Sequence, residues 1–182
     1  MQGIPSGVSL LSHPAAVYFG TALEVYVEAS NYQNYAIWST DGINWPNQWS
    51  SLGGYPQEYA PDQYASGPAL AAWPDASRID EVVTSRYSNS NFDKYYTGQP
   101  GDCWSSCWQQ VPGPQPIAAS DPGIAWWPWS GDRRIEVFIQ GADHNLCDYN
   151  YLMSSGGWAW VSRGAWPGGY YSGNAPAVAV WR

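Results

Sequence analysis

Pro122-Gly-Ile-Ala-Trp-Trp127 decides the reading of this chain, because close variants of it stand at three other places. These are Pro14-Ala-Ala-Val-Tyr-Phe19, Pro68-Ala-Leu-Ala-Ala-Trp73 and Pro176-Ala-Val-Ala-Val-Trp181. Each proline follows the previous one by 54 residues. A fixed period of that length marks a repeat architecture, in which one supersecondary unit is copied along the chain.

Working outward from the phrase, each unit reads as four short strands. The Pro-headed run is too short for a helix and is rich in Val, Ala and aromatics, as expected of a strand buried on both faces. A second strand follows a short turn, at Leu23-Glu-Val-Tyr-Val27, Ile79-Asp-Glu-Val-Val83 and Ile135-Glu-Val-Phe-Ile139. Here polar and apolar residues partly alternate, the pattern of a strand packed on one side. A third strand starts at Asn34, Asn91 and Asn145 and runs through Trp38, Tyr95 and Tyr149. The fourth carries Trp pairs (Trp45 and Trp49, Trp104 and Trp108, Trp158 and Trp160) and ends on Gly53-Gly54, Gly113 or Gly164. Nothing has helical periodicity, so the unit is an antiparallel β-meander.

One such sheet cannot bury both faces, and radial stacking solves this as a β-propeller. A β-sandwich also uses short strands but needs no strict repetition. The expectation is therefore an all-β, single propeller or partial propeller over residues 1–182, with blades at 14–54, 68–113 and 122–164. Residues 176–182 form the first strand of a further blade. Three blades and a strand fall short of a ring, which typically needs four or more blades. Completion then comes from a larger propeller or from further copies, a homo-oligomer whose orphan strand docks on a neighbour.

Composition narrows the partners. Only 12% of residues are charged, the net charge is −8, and aromatics include 13 Trp and 14 Tyr. An acidic chain without basic patches is unsuited to nucleic acid. No apolar stretch is long enough to span a membrane, and no signal peptide is visible at the start of the chain. Cys103 and Cys107 either form a local disulfide across a bend or remain two thiols. A metal site is not expected, because a zinc site wants four ligands and His13 and His144 are the only histidines. Cys147 lies in an apolar run and reads as a buried small hydrophobe.

Ile135-Glu-Val-Phe-Ile-Gln-Gly-Ala-Asp-His-Asn-Leu146, followed by Gly157-Trp-Ala-Trp-Val-Ser-Arg-Gly164, resembles the repeat of bacterial and fungal sugar-binding propellers. That family is typified by the Photorhabdus fucose-binding lectin and the Psathyrella lectin. The first unit matches through Leu23-Glu-Val-Tyr-Val-Glu28, and the second is the most divergent. The resemblance implies a non-enzymatic lectin without cofactor, with sugar sites between blades and fucose- or GlcNAc-type glycans as partners. It also suggests a location outside the cell or at its surface.

The residues support sugar binding by their own chemistry. A pyranose presents an apolar C–H face to Trp or Tyr and hydroxyls to Asn or Asp. Trp45, Trp49, Trp104, Trp108, Trp158 and Trp160, with Asn34, Asn91 and Asn145, are the candidate cleft residues. The bland reading is that the same Trp side chains fill space between blades. Two other classes stay open. One is a structural or adhesive assembly protein whose Trp-rich blades pack subunits together, and the other is a propeller glycosidase. No catalytic residues stand out, because a glycosidase needs two facing carboxylates and none of the 15 acids repeats suggestively. Ser39-Thr-Asp-Gly-Ile-Asn-Trp45 is similar to the Asp-box turn of sialidases, one residue short, which implies a structural hairpin. Arg78, Arg86, Arg133 and Arg134 read as solvent-facing or paired with Asp132, Asp80 or Glu81.

Overall fold

A computed structural model describes residues 7–54, 66–73, 78–85, 88–98, 108–112, 118–127, 133–165 and 175–179. Its described strands form three four-stranded antiparallel sheets, each a meander in chain order. The first holds β1 (Ala15–Phe19), β2 (Ala22–Glu28), β3 (Asn34–Ser39) and β4 (Ser50–Ser51). The second holds β5 (Ala69–Trp73), β6 (Arg78–Thr84), β7 (Asn91–Tyr96) and β8 (Gln109–Gln110). The third holds β9 (Gly123–Trp127), β10 (Arg134–Gln140), β11 (Asn145–Leu152) and β12 (Gly157–Ala165). The fold class is the all-β propeller type that the repeat implies.

Local chemistry repeats with the sheets. Gly20 has a φ of 59° and opens the two-residue turn from β1 to β2, where a β-carbon would be strained. The turn from second to third strand carries a left-handed non-glycine residue in every sheet, Tyr32, Asn89 or His144. In two of them its N–H returns to the residue that follows the second strand, Tyr32 to Ala29 at 2.8 Å and His144 to Gly141 at 2.8 Å.

A serine two residues ahead of the proline in each of the three sheets is a second repeated device. Ser12 Oγ accepts the Glu28 N–H at 2.9 Å, Ser66 Oγ the Thr84 N–H at 2.7 Å, and Ser120 Oγ the Gln140 N–H at 2.9 Å. Each hydroxyl thus satisfies a backbone donor at the end of the second strand, where the ladder with the first strand has run out. It also fixes how the incoming chain meets its own sheet.

The first strands line the propeller axis. β5 packs between β1 and β9, and His13, Pro14, Gly67, Pro68, Asp121, Pro122 and Ala175 surround an axial cavity of about 210 Å³. Between the second and third sheets lies the largest apolar cluster, with Trp73, Val82, Ile135, Val137, Ile139, Cys147 and Tyr149 all buried. Cys147 is thus the buried small residue that its apolar run suggests.

Two details depart from the sequence reading. β1 is not buried on both faces: Ala16 and Tyr18 point outward, Tyr18 being 65% exposed, because no described sheet packs on that side. The Trp pair lies within the fourth strand only in β12. Trp45 and Trp49 precede β4 and Trp108 precedes β8. The Asp41 turn and Pro46, which has no N–H for a ladder, keep the chain out of the sheet until Ser50. Pro176–Val178 lies against Gly123 of β9, where a β-carbon would collide with the Pro176 carbonyl oxygen. Residues 175–179 join no ladder among the described residues.

Candidate functional site

Strand alternation gives every sheet two faces, and the face turned toward the following sheet repeats a polar pattern. In the second sheet it carries Trp73, Arg78, Asp80, Asp93 and Tyr95, with Trp73 opposite Arg78, and Tyr95 opposite Asp80. In the third sheet the same places hold Trp127, Arg134, Glu136, Asp148 and Asn150. In the first they hold Phe19, Ala22, Glu24, Ala36 and Trp38. An aromatic, a cation, an acid and a second aromatic or polar group therefore recur, and the first sheet lacks the cation.

The cleft between the second and third sheets shows the pattern in full. Arg78 clasps Asp80 through Nε, at 2.9 and 3.0 Å, and through Nη2. Trp73 Nε1 donates to the same carboxylate at 2.5 Å. The guanidinium carbon lies 4.0 Å from the Tyr95 ring centroid and 5.1 Å from that of Tyr151 on the facing sheet. Cation–π contacts of this kind fix the plane of the guanidinium. Among the described residues, Nη1 makes no hydrogen bond. Trp126, Tyr151 and Trp158 complete the opposite wall, with Tyr151 and Trp158 at 5.4 Å between centroids. Tyr95 remains 40% exposed at the mouth.

Behind Arg78 two acids share the interior. Asp80 and Asp93 stand on one face of the neighbouring strands β6 and β7, and burial raises both above the usual carboxylate range. For Asp93 the negative Asp80 adds to the effect, whereas Arg78 and Trp73 hold Asp80 down. Burial and the neighbouring acid thus both favour the protonated form of Asp93.

On the other side of the second sheet, Glu81 and Lys94 form a buried ion pair at 3.1 Å. Asn34 Nδ2 from the first sheet donates to Glu81 at 2.5 Å, and Lys94 Nζ lies 4.4 Å from the Trp108 ring centroid. Burial pushes Glu81 up and Lys94 down, and their attraction opposes both shifts.

The residues singled out in the sequence thus fall into different settings. Asn34 and Asn91 are fully buried, Asn34 on Glu81 and Asn91 accepting from Thr84 Oγ1 at 2.9 Å. Asn145 sits at the start of β11 and bonds Asp143 at 2.7 Å. Trp108 is buried against Val83 and Phe92, and Trp49 packs on Val27, Ala29 and Tyr35. Trp45 Nε1 bonds the Gly42 carbonyl at 3.3 Å within the Asp41 turn. Asp41 accepts there from the Ile43 and Asn44 N–H groups at 2.9 and 2.7 Å, which holds its carboxyl well below the usual range. Its lone pairs serve the turn, in keeping with a structural hairpin. Trp158 lines the cleft described above, and Trp160, 37% exposed, packs beside Tyr149. Cys103, Trp104 and Cys107 lie outside the described residues.

Arg78, Asp80, Arg134 and Glu136 carry a signal that residue-by-residue reading passes over. Arg-Ile-Asp and Arg-Ile-Glu stand 56 residues apart, in register with the second strands. Arg78 pairs with Asp80, as one of the readings had it, and Arg134 pairs with Glu136 at 2.8 Å.

The fold is shared with solved structures. No protein-family profile matches the chain, and no curated protein is similar to it in sequence. Solved structures similar to it include fucose-binding lectins. The fucose-specific lectin of Aleuria aurantia is 20% identical with a TM-score of 0.55, over 86% of this chain and 46% of that one. SapL1 lectin, solved with α-methyl fucoside, is 16% identical with a TM-score of 0.54, over 87% and 48%. AofleA of Arthrobotrys oligospora, a triple arginine-to-alanine mutant, is 16% identical with a TM-score of 0.54, over 88% and 45%. The chain spans about half the length of each of these proteins. The likeness to the Photorhabdus and Psathyrella repeat rests on the sequence motifs alone.

Proposed function

We propose that this chain is a carbohydrate-binding lectin whose principal sugar site is the cleft between the second and third sheets. The observation that carries this is the Arg78 guanidinium, set between the Tyr95 and Tyr151 rings, with Nη1 unpartnered among the described residues. A pyranose laid on Tyr95 would bury its C–H face while neighbouring hydroxyls accept from Arg78. Because the Arg78 charge is already met by Asp80, the site suits a neutral sugar. Trp158 and Trp126 would bound the far wall, and Asn34, Asn91 and Trp108 would serve the fold rather than the ligand.

The fold shared with fucose-binding lectins supports a fucose-type ligand, with GlcNAc-type glycans next. Such ligands are displayed outside cells or on their surfaces, and the protein would work there. Several weak clefts, and association with further copies, would supply avidity.

A glycan array tests the reading. Binding of fucosylated glycans is expected, and Tyr95→Ala should weaken it about tenfold, the loss of one stacking contact, with little change in Tm. A folded chain that binds no glycan overturns the proposal. A mass in solution equal to a single chain removes the association of copies.

A further inference from the structure

The first sheet departs from the repeat at two positions, Ala22 and Ala36, and the first departure leaves a receptor without its occupant. Where the other sheets place Arg78 and Arg134, the first has Ala22. Three partners of the missing guanidinium are still there, while Ala36 replaces the second acid. Glu24 stands where Asp80 and Glu136 stand, Phe19 where Trp73 and Trp127 stand, and Trp38 where Tyr95 stands. In the complete sheets those places hold a cation. Arg78 lies 4.0 Å over Tyr95, Arg134 lies 5.5 Å over Trp127, and each arginine pairs with its acid.

In the first sheet the box stays accessible. Trp38 is 45% exposed, and Phe19, Ala22 and Glu24 are each half-buried. Tyr96 of the second sheet closes the far side, 6.2 Å from Phe19 between ring centroids. Tyr26 donates to Glu24 Oε2 at 2.5 Å, which orients the carboxylate, and among the described residues no cation pairs with it.

We propose that the cleft between the first and second sheets binds an organic cation, a ligand's ammonium or guanidinium group, at the place Arg78 occupies one blade further on. The charge would pair with Glu24 while its flanks rest on Trp38 and Phe19. Aromatic faces beside a carboxylate favour such groups over neutral ones. Alongside the proposed lectin function, the natural carrier is an amino sugar, and an arginine side chain is the other source of the same chemistry. The chain would then have two unlike clefts, one for a neutral sugar and one for a charged ligand.

Calorimetric titration of the whole chain with glucosamine, N-acetylglucosamine and methylguanidinium, at about pH 6 where the amine is protonated, tests this. Glucosamine is expected to bind and its neutral N-acetyl form to bind at least about tenfold more weakly. Methylguanidinium binding as tightly as glucosamine would assign the site to a guanidinium side chain rather than a sugar. Glu24→Gln should weaken the preferred cation about tenfold. Ala22→Arg should occupy the box from within, abolish cation binding and raise Tm. If Ala22→Arg does not fold, Glu24→Gln decides alone. Absence of binding by both cations overturns the proposal, as does equal binding of glucosamine and its N-acetyl form, or cation binding that survives Ala22→Arg in a folded chain. The reading of the Arg78 cleft stands or falls separately, on neutral glycans and Tyr95→Ala.

Discussion

Lys94 is the only lysine of the chain, and it lies wholly inside, between Glu81 and the face of Trp108. An amine-reactive reagent should therefore modify the α-amino group of the folded protein and leave Lys94 untouched until denaturant is added. Peptide mapping by mass spectrometry checks this, and rapid native labelling of Lys94 would contradict the burial. Lys94→Met leaves Glu81 buried with Asn34 as its remaining described partner. Removing one member of a buried pair costs about 3–5 kcal/mol, so urea unfolding should show a loss of that order. Side-chain chemistry of this kind was only partly legible beforehand. Asn34 and Trp108 are recognisable as repeated polar and aromatic positions. That one binds Glu81 and the other covers Lys94 depends on how two sheets meet.

At the level of strands, the proline-headed phrase was the most legible element, because proline and the flanking turns punctuate each strand. The second and third strands follow from alternation, and the structure places them where the pattern does. The fourth strands were less legible, since Asp41 and Pro46 hold Trp45 and Trp49 in a turn, a matter of local hydrogen bonds. The Arg-Ile-acid pairs were visible as letters but not as a site. Only the register puts Trp73, Arg78, Asp80 and Tyr95 on one face. The serine bonds make a prediction of their own. Ser66→Ala would leave the buried Thr84 N–H without its acceptor, at a cost of about 1–3 kcal/mol. Chemical denaturation measures it, and Ser66→Thr, which restores the hydroxyl, should recover part of the loss.

Over the whole molecule, burial raises Glu24, Asp80, Glu81, Asp93 and Asp121 together. Groups raised in the folded state bind protons on folding, so their contribution is full below the unfolded carboxylate range and is lost as pH rises through the folded values. Lys94, lowered by burial, acts in the opposite sense, and only between its folded value and 10.5. Tm should thus fall as pH rises from the mildly acidic range toward neutrality. Asp93→Asn, a permanent stand-in for the protonated acid, should flatten the slope. A Tm that climbs steadily over that interval would refute the assignment. The serine bonds have a consequence at this scale too. Ser12, Ser66 and Ser120 each belong mechanically to the sheet that follows them, so the interchangeable cassette begins upstream of the serine rather than at the proline. Blades of this chain could be shuffled, duplicated or grafted with intact folding only when the splice falls before Ser-x-Pro, within a segment such as 55–65.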